Sequence, residues 1–239
     1  MKPIDLLAFG AHPDDVELGA GGTVRKHIEQ GFSAAIIDIT RGELGSRGTA
    51  ETRDLEAQEA GKIIGLSHRE NLGWSDGFFE ETKDNILEMA RIIRIHQPQW
   101  IIGNAISDRH PDHGRAAKIL DRANFLAGLP KIEILHNGVK LSPHRAQRLA
   151  HYIQDRNIGP HFVVDVTAQW DVKMNSIAAY KTQFYQPNSN EPETPISSLD
   201  FWHFLEARGR EFGRMAGVTF AEGFTSATPI GIQSFENIL

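Results

Sequence analysis

The 239-residue sequence contains no cysteine, so disulfide bonds and thiolate zinc sites are excluded. A bound metal would therefore need histidine and carboxylate ligands. The sequence also lacks an apolar run long enough to cross a membrane and an N-terminal segment of the signal-peptide type. Its net charge of −6 provides no basic surface for nucleic acid. We therefore expect a cytoplasmic protein that binds neither membranes nor nucleic acids.

The composition is that of an ordinary globular protein, with 40% hydrophobic and 23% charged residues. The length suits one hydrophobic core, so we expect a single domain over residues 1–239. Apolar runs alternate with helical patterns, which predicts an α/β fold with a Rossmann-like, mostly parallel sheet and helices on both faces. The predicted strands are 4–9, 33–40, 68–72, 100–103, 149–153 and 162–166. The predicted helices are 16–30, one capped by Thr49 or Thr52 and ending at 64, 83–96, 115–127, 168–184 and 201–215.

One short loop, 10–15, places His12, Asp14 and Asp15 directly after the first predicted strand. Ligand sites of α/β sheets lie at the carboxyl ends of the strands, so these side chains are candidates for binding a metal or moving a proton. The ordinary alternative is helix capping, because aspartate is a favoured N-cap residue. This loop alone does not separate the two interpretations.

A second loop, 108–113, repeats the arrangement after the strand at 100–103 and before a helical pattern. It contains His110, Asp112 and His113. Two acidic, histidine-containing loops at the ends of two strands of one sheet would face the same crevice. The pair therefore favours a metal-centred site over two unrelated helix caps.

Glycine-rich and polar loops border this crevice. The run 18–22 does not match the phosphate-binding pattern G-x-G-x-x-G, so we interpret its small residues as allowing close helix packing. The loop 41–49 is either solvated or a substrate loop in which Arg41 and Arg47 bind an anion. Arg53 opposes the dipole of its helix, which indicates a purpose other than helix stability. The long polar segment at about 186–200 is expected to form a lid.

The two acidic loops resemble the marks of the LmbE-like family, which is related to the phosphatidylinositol-glycan de-N-acetylase. Those marks are A-H-P-D-D and H-P-D-H, and both stand unbroken at 11–15 and 110–113. Members of this family are metal-dependent N-acetylglucosaminyl deacetylases. Further segments resemble the branch of bacillithiol biosynthesis, so that the resemblance covers nearly the whole chain. They are 40–45, 48–53, 143–145, 152–155 and 221–224.

The resemblance implies a catalytic centre. The metal, usually zinc, would be held by His12, Asp15 and His113, and ferrous iron would accept the same ligand set. Asp14 would be the general base that activates water. His110 would stabilise the oxyanion, with Asp112 keeping it protonated and oriented or else capping the helix. Some family members use a late-loop tyrosine for the oxyanion, but this sequence has none after position 185.

The branch implies a substrate, N-acetylglucosaminyl L-malate, which would be hydrolysed to glucosaminyl malate and acetate. Arginines pair well with the two carboxylates of malate. The ordinary alternative for each candidate arginine is an ion pair at the protein surface. The candidates, in order, are Arg53, Arg109, Arg145 (from this or a neighbouring chain), Arg41 and Arg47. Relatives form oligomers, often hexamers, so a homo-oligomer is expected.

Other interpretations remain open at this point. The protein would be a deacetylase of another N-acetylglucosamine conjugate, such as a chitin disaccharide, or a non-catalytic metal- or sugar-binding protein. An intact Asp14 argues against the second, because a binding protein needs no base. A nucleotide-binding protein is disfavoured by the missing glycine fingerprint. The remaining histidines, including His68 and His96, lack a partner motif and are predicted to be structural or at the surface.

Overall fold

The computed structural model describes residues 3–187, 189–232 and 234. The strands of this part of the chain are β1 Leu6–Gly10, β2 Ala34–Thr40, β3 His68–Trp74, β4 Trp100–Gly103, β5 Leu135–His136, β6 Val139–Lys140, β7 Arg148–Tyr152, β8 Phe162–Asp165 and β9 Ala221–Thr225. Seven of them form one sheet in the order β3-β2-β1-β4-β7-β9-β8, and β5 pairs with β6 in a separate hairpin. Neighbours from β3 to β7 are parallel, whereas β9 is antiparallel to β7 and to β8.

The helices are α1 Asp15–Glu29, α2 Ala50–Ile64, α3 Lys83–His96, α4 Pro111–Ala127, α5 Trp170–Ala178 and α6 Leu199–Ala216, with a 3₁₀ turn at Thr167–Gln169. Helices α3 and α4 pack on one face of the sheet, while α1, α2 and α5 pack together on the other. The predicted α/β class, with a mostly parallel sheet covered on both faces, is therefore confirmed.

Local sequence explains several of these elements. Every residue of β1 and β2 is buried, as expected for central strands of a sheet covered on both faces. Helix α2 starts with a reciprocal capping box between Thr49 and Thr52, and it ends at Gly65 in the left-handed conformation. A side chain at Gly19 would collide with the ring of Tyr152, so the small residues of α1 do allow close packing on the sheet.

The structure corrects two predicted helix boundaries and adds a strand. Helix α4 begins at Pro111 instead of 115, because proline suits the first helical position and the preceding residue caps the helix. The pattern at 168–184 is helical only to Ala178. Strand β9 was missed because one of its residues, Glu222, is charged; it is buried against Lys173 with an N–O distance of 2.6 Å.

Parallel pairing places the carboxyl ends of β1 and β4 side by side, with Ala8 opposite Ile102. The loops 10–15 and 108–113 follow these two ends, so both reach the same edge of the sheet, the one formed by the carboxyl ends of its parallel strands. This edge carries the candidate site. Within the described part of the chain, none of the helices is both long and apolar enough to span a bilayer.

Candidate active site

His12, Asp15 and His113 converge where the two loops meet. The two carboxylate oxygens of Asp15 lie 3.5 Å from His12 Nδ1 and 3.2 Å from His113 Nε2. A tetrahedral centre with bonds of about 2.1 Å holds its ligand atoms roughly 3.4 Å apart, so each of these two separations suits a pair of metal ligands. The groups at this site whose ligand atoms all lie within 4.8 Å of one another are His12, His110 and His113, and His12, Asp76 and Asp112. His12, Asp15 and His113 are buried, with at most 7% of any of them exposed. The predicted ligands are therefore brought together.

A ring of carboxylates orients the two imidazoles. Asp76 Oδ1 and Asp112 Oδ2 lie 3.0 Å and 3.4 Å from His12 Nε2, and Asp108 Oδ2 lies 2.6 Å from His113 Nδ1. Carboxylates in this position fix the tautomer and ring orientation of metal-binding histidines. Each ring consequently turns its other nitrogen toward Asp15.

Amide donors hold Asp15 itself. Its carboxylate accepts hydrogen bonds from Asn104 Nδ2 at 2.8 Å and Gln154 Nε2 at 2.6 Å. Burial alone would raise the pKa of Asp15, but the charges and hydrogen bonds of His113 and His12 hold it well below its usual range. Burial likewise opposes ionisation of His113, yet Asp15 and Asp108 raise its pKa to about 9. The site thus favours positive charge, which a metal ion would supply.

Asp14 is strained and faces the cleft. Its φ of 110° is unusual for a residue other than glycine, and its side chain makes no capping hydrogen bond to α1. Instead, Asp14 Oδ2 accepts a 2.6 Å hydrogen bond from Arg53 Nη2. Burial raises the pKa of Asp14 to about 6, although the charge of Arg53 works against this. Asp14 therefore occupies the N-cap position of α1 without capping the helix through its side chain. Its carboxylate has a pKa suited to proton transfer near neutrality.

His110 caps α4, since its Nδ1 accepts from the backbone N–H of Asp112 at 3.3 Å. The Asp112 carboxylate is directed elsewhere: toward His12, the Gly77 N–H at 2.9 Å and Arg115 Nη1 at 2.8 Å. The predicted side-chain pairing of Asp112 with His110 was therefore wrong. Burial and the charges of His12 and His113 lower the pKa of His110, which favours a neutral ring.

Two of the five candidate arginines line the cleft. Arg53 is buried and forms an ion pair with Asp14, so its charge interacts mainly with that carboxylate. Arg109 is half-exposed at the rim, with Nε 3.2 Å from Asp155 Oδ2. Arg109 is thus the better placed of the two to meet a charged substrate.

The other three lie away from the cleft. Arg41 pairs with Asp54 at 2.6 Å on the surface, which is the ordinary alternative. Arg47 is buried and donates from Nη2 to Ser189 Oγ at 2.8 Å, so it tethers the segment 186–200. Arg145 lies over the ring of Phe125 near the carboxyl end of α4, at the opposite edge of the sheet. The prediction that Arg145 contacts substrate within its own chain was therefore wrong.

The cleft above the site has a volume of about 360 Å³, within the range of small-molecule sites. One wall is polar and contains the histidines and aspartates described above. The opposite wall is mainly apolar and comes from the segment 194–196 and α6; its apolar residues are Pro195, Ile196, Phe201, Phe204 and Leu205. Residues 194–196 of the segment that we expected to form a lid line the cleft. Residue 188 of the same segment lies outside the described residues.

Sequence reasoning missed four polar residues of the site. Asp76, Asn104, Asp108 and Gln154 contact the three candidate ligands, and none was assigned a role. A signal was present: Asn104 directly follows β4, Asp76 and Gln154 lie within two residues of the ends of β3 and β7, and Asp108 opens the second acidic loop. These positions belong to the same edge of the sheet.

A buried ion network supports the base of α1. Arg69 on β3 lies 2.6 Å from Glu17 and 2.7 Å from Asp38, and it donates to Tyr180 Oη at 2.8 Å. Glu17 is only two residues from Asp15 in the same helix. The network therefore fixes α1, and with it the loop that carries the candidate ligands, against β2 and β3.

Comparison with known proteins gives a consistent picture. The model of the family described as PIG-L, GlcNAc-PI de-N-acetylase, matches residues 7–124. The crystal structure of the conserved protein TT1542 from Thermus thermophilus is 35% identical in sequence, with a TM-score of 0.85. The match covers 96% of this chain and 97% of that one. Both acidic loops lie within the part matched by the family model.

Curated relatives are more distant. Diacetylchitobiose deacetylase of Thermococcus kodakarensis is 25% identical, covering 91% of this chain and 81% of the relative. 4-Oxalmesaconate hydratase of Pseudomonas putida is 25% identical, covering 93% of this chain and 89% of the relative. A probable N-acetyl-α-D-glucosaminyl L-malate deacetylase of Bacillus cereus is 27% identical, covering 74% of this chain and 83% of the relative. Two of the three are deacetylases, which hydrolyse N-acetyl amide bonds, and the predicted enzyme class is confirmed. The chain belongs to the PIG-L (GlcNAc-PI de-N-acetylase) family.

Proposed function

We propose that this protein is a zinc-dependent deacetylase that removes the acetyl group from an N-acetylglucosamine conjugate, releasing acetate and the free amine. The observation that carries the proposal is a buried carboxylate, Asp14, adjacent to the place where the side chains of His12, Asp15 and His113 meet. Its pKa of about 6 leaves it ionised at neutral pH and able to accept a proton. A protein that only bound metal would not need this strained and partly charged neighbour.

His12, Asp15 and His113 would hold the metal, since two imidazoles and one carboxylate form a usual catalytic zinc set with an open position. When bound, the metal would supply a Lewis acid that acidifies water and polarises the acetyl carbonyl. Ferrous iron would suit the same ligands. Asp76, Asp108 and Asp112 would keep the imidazoles in place.

Asp14 would take a proton from the attacking water as the new C–O bond forms at the acetyl carbon. It would then pass that proton to the amide nitrogen as the C–N bond breaks, so that the amine leaves neutral. Arg53 would position the Asp14 carboxylate and hold its pKa below the value that burial alone would give.

His110 would donate a hydrogen bond to the oxyanion that forms at the acetyl oxygen. Its Nδ1 accepts from the backbone, so a neutral ring carries its proton on Nε2. This arrangement does not need a protonated His110 or a tyrosine in the late loop. Its ring lies against those of His12 and His113, with centroids 4.6 Å and 5.3 Å away.

The cleft favours an uncharged sugar conjugate such as a chitin disaccharide. The wall formed by the segment 194–196 and α6 is apolar, and the rings of Phe201 and Phe204 on it would stack against one face of a sugar. The charge of Arg53 is already paired with Asp14. The Thermococcus relative bears the name of such an enzyme. N-acetylglucosaminyl L-malate, and with it a role in bacillithiol biosynthesis, is the second candidate, because Arg109 stands at the rim beside the polar wall.

The test is amine release from diacetylchitobiose, N-acetylglucosaminyl L-malate and free N-acetylglucosamine by zinc-loaded protein. We expect release from at least one conjugate and its loss in Asp14→Asn, which keeps the shape of the side chain. Preference for the disaccharide supports the first candidate, and preference for the malate conjugate supports the second. No release from any of the three by metal-loaded protein would refute deacetylation of these conjugates and direct attention to a hydratase reaction.

A further inference from the structure

A second cluster of metal-ligating side chains lies on the side of the sheet opposite the cleft, where the amino ends of the parallel strands lie. His68 and Glu70 stand at the start of β3, and His96 is the last residue of α3. Their ligand atoms all lie within 4.8 Å of one another. The site described above is at the carboxyl ends of the strands, whereas this cluster is at the amino end of β3.

The fold explains why these residues meet. His68 and Glu70 lie opposite Ala35 and Ile37 of β2, and residues at paired positions of neighbouring strands share a face of the sheet. Ala35 and Ile37 belong to the core cluster that α3 contributes to, so this face of β3 is turned toward α3. The cluster therefore bridges an edge strand and the end of the helix that packs beside it.

His96 is the unusual member. Only 1% of the residue is exposed, yet neither ring nitrogen has a hydrogen-bond partner within the described part of the chain. Buried polar side chains nearly always have a partner, so an unpartnered imidazole indicates a ligand or an ordered water. Its ring lies 5.4 Å from the ring of His68, measured between centroids.

The other two members are accessible. His68 Nε2 lies 3.3 Å from Glu70 Oε2, and the side chains are 37% and 32% exposed. Their ligand atoms are at most 4.8 Å from those of the other members, and the ligand atoms of a tetrahedral centre are roughly 3.4 Å apart. Both side chains are exposed enough to shift by this short difference. The exposed side also leaves room for water as a fourth ligand.

We propose that His68, Glu70 and His96 form a second binding site for a divalent transition metal, which ties edge strand β3 to the carboxyl end of α3. Two imidazoles and one carboxylate select zinc and its neighbours over magnesium or calcium, which prefer oxygen ligands. A metal here would give His96 the partner that it lacks. It would also stabilise the folded state, because the unfolded chain does not hold the three ligands together.

Zinc alone is the probe. We would dialyse the protein to equilibrium at saturating free zinc and measure the metal content by mass spectrometry. We expect two zinc ions per wild-type chain, and one in His68→Gln, in Glu70→Gln and in His96→Phe. His203→Gln, a change at an exposed histidine, should keep two. The half-exposed His68 and Glu70 variants keep the test valid where the buried His96 variant fails to fold.

A separate background isolates the new site. His113→Ala should lose the catalytic zinc and keep one zinc, and adding His68→Gln should remove it. Zinc should raise the melting temperature of His113→Ala, and this rise should be absent in the double variant. A single zinc in the wild type, or a second zinc that persists in the His68 and Glu70 variants, would overturn the proposal. These readouts do not depend on deacetylase activity.

Discussion

Replacing Arg53 by methionine tests whether this arginine acts on Asp14 or on the substrate. Nη2 of Arg53 lies 2.6 Å from Asp14 Oδ2, and both residues are buried. A unit charge pair about 4 Å apart at an effective dielectric constant of about 20 attracts by about 4 kcal/mol, which corresponds to roughly 3 in pKa. Water that enters the space left by the guanidinium reduces this, so we expect the pKa of Asp14 to rise by about 1 to 3.

The assay is the pH dependence of kcat/KM for the best conjugate. Asp14 must be ionised to act as a base, so activity is lost as the pH falls through its pKa. Removing Arg53 should therefore move the acidic limb to higher pH, with activity largely recovered at alkaline pH. A bound metal ion lowers this pKa in both proteins, so the difference between them is the quantity to compare.

Arg53→Lys is the matched control, because it keeps the charge and should return most of the acidic limb toward its original position. Metal content and circular dichroism would be checked for both variants. The reasoning fails if the acidic limb stays in place and only KM rises. A rise in KM confined to N-acetylglucosaminyl L-malate would show instead that Arg53 binds the substrate carboxylates.

Two further substitutions test the support of the site. Asp108→Asn removes the carboxylate that orients His113, and metal affinity should fall about 10- to 100-fold in competition with a chelator; unchanged affinity would contradict that role. Arg69→Leu breaks the buried network with Glu17 and Asp38, and the free energy of unfolding in urea should fall by about 3 to 5 kcal/mol. Arg41→Leu is the control for Arg69→Leu, since a surface pair contributes little; equal losses in the two variants would contradict the importance of burial.

The two acidic loops were sufficient to predict that His12, Asp15 and His113 meet. Their order in the chain, each after an apolar run and before a helical pattern, predicted that they share one edge of the sheet. Parallel pairing of β1 with β4 brings them together. The resemblance implied His12, Asp15 and His113 as candidate ligands, and they lie with the candidate base within two short segments.

The roles of the arginines could not be predicted in this way. An arginine side chain is long, and its partner is decided by folding, as the contacts of Arg53 with Asp14 and of Arg47 with Ser189 show. Arg145 belongs to a segment that resembles the family, yet the direction of α4 carries it to the opposite edge of the sheet. Asp112 was assigned to His110 by proximity in sequence, whereas its carboxylate contacts His12 from the other loop.

The sequence by itself determined the alternation of strands and helices, the two acidic loops and the family. These features depend on hydrophobic periodicity and on residues that are near one another in the chain. Only the tertiary structure decided which carboxylates orient the histidines, how burial raises the pKa of Asp14, and that His68 and Glu70 meet His96 across 28 and 26 positions of the chain. Such features depend on distances between segments that the chain brings together only when it folds.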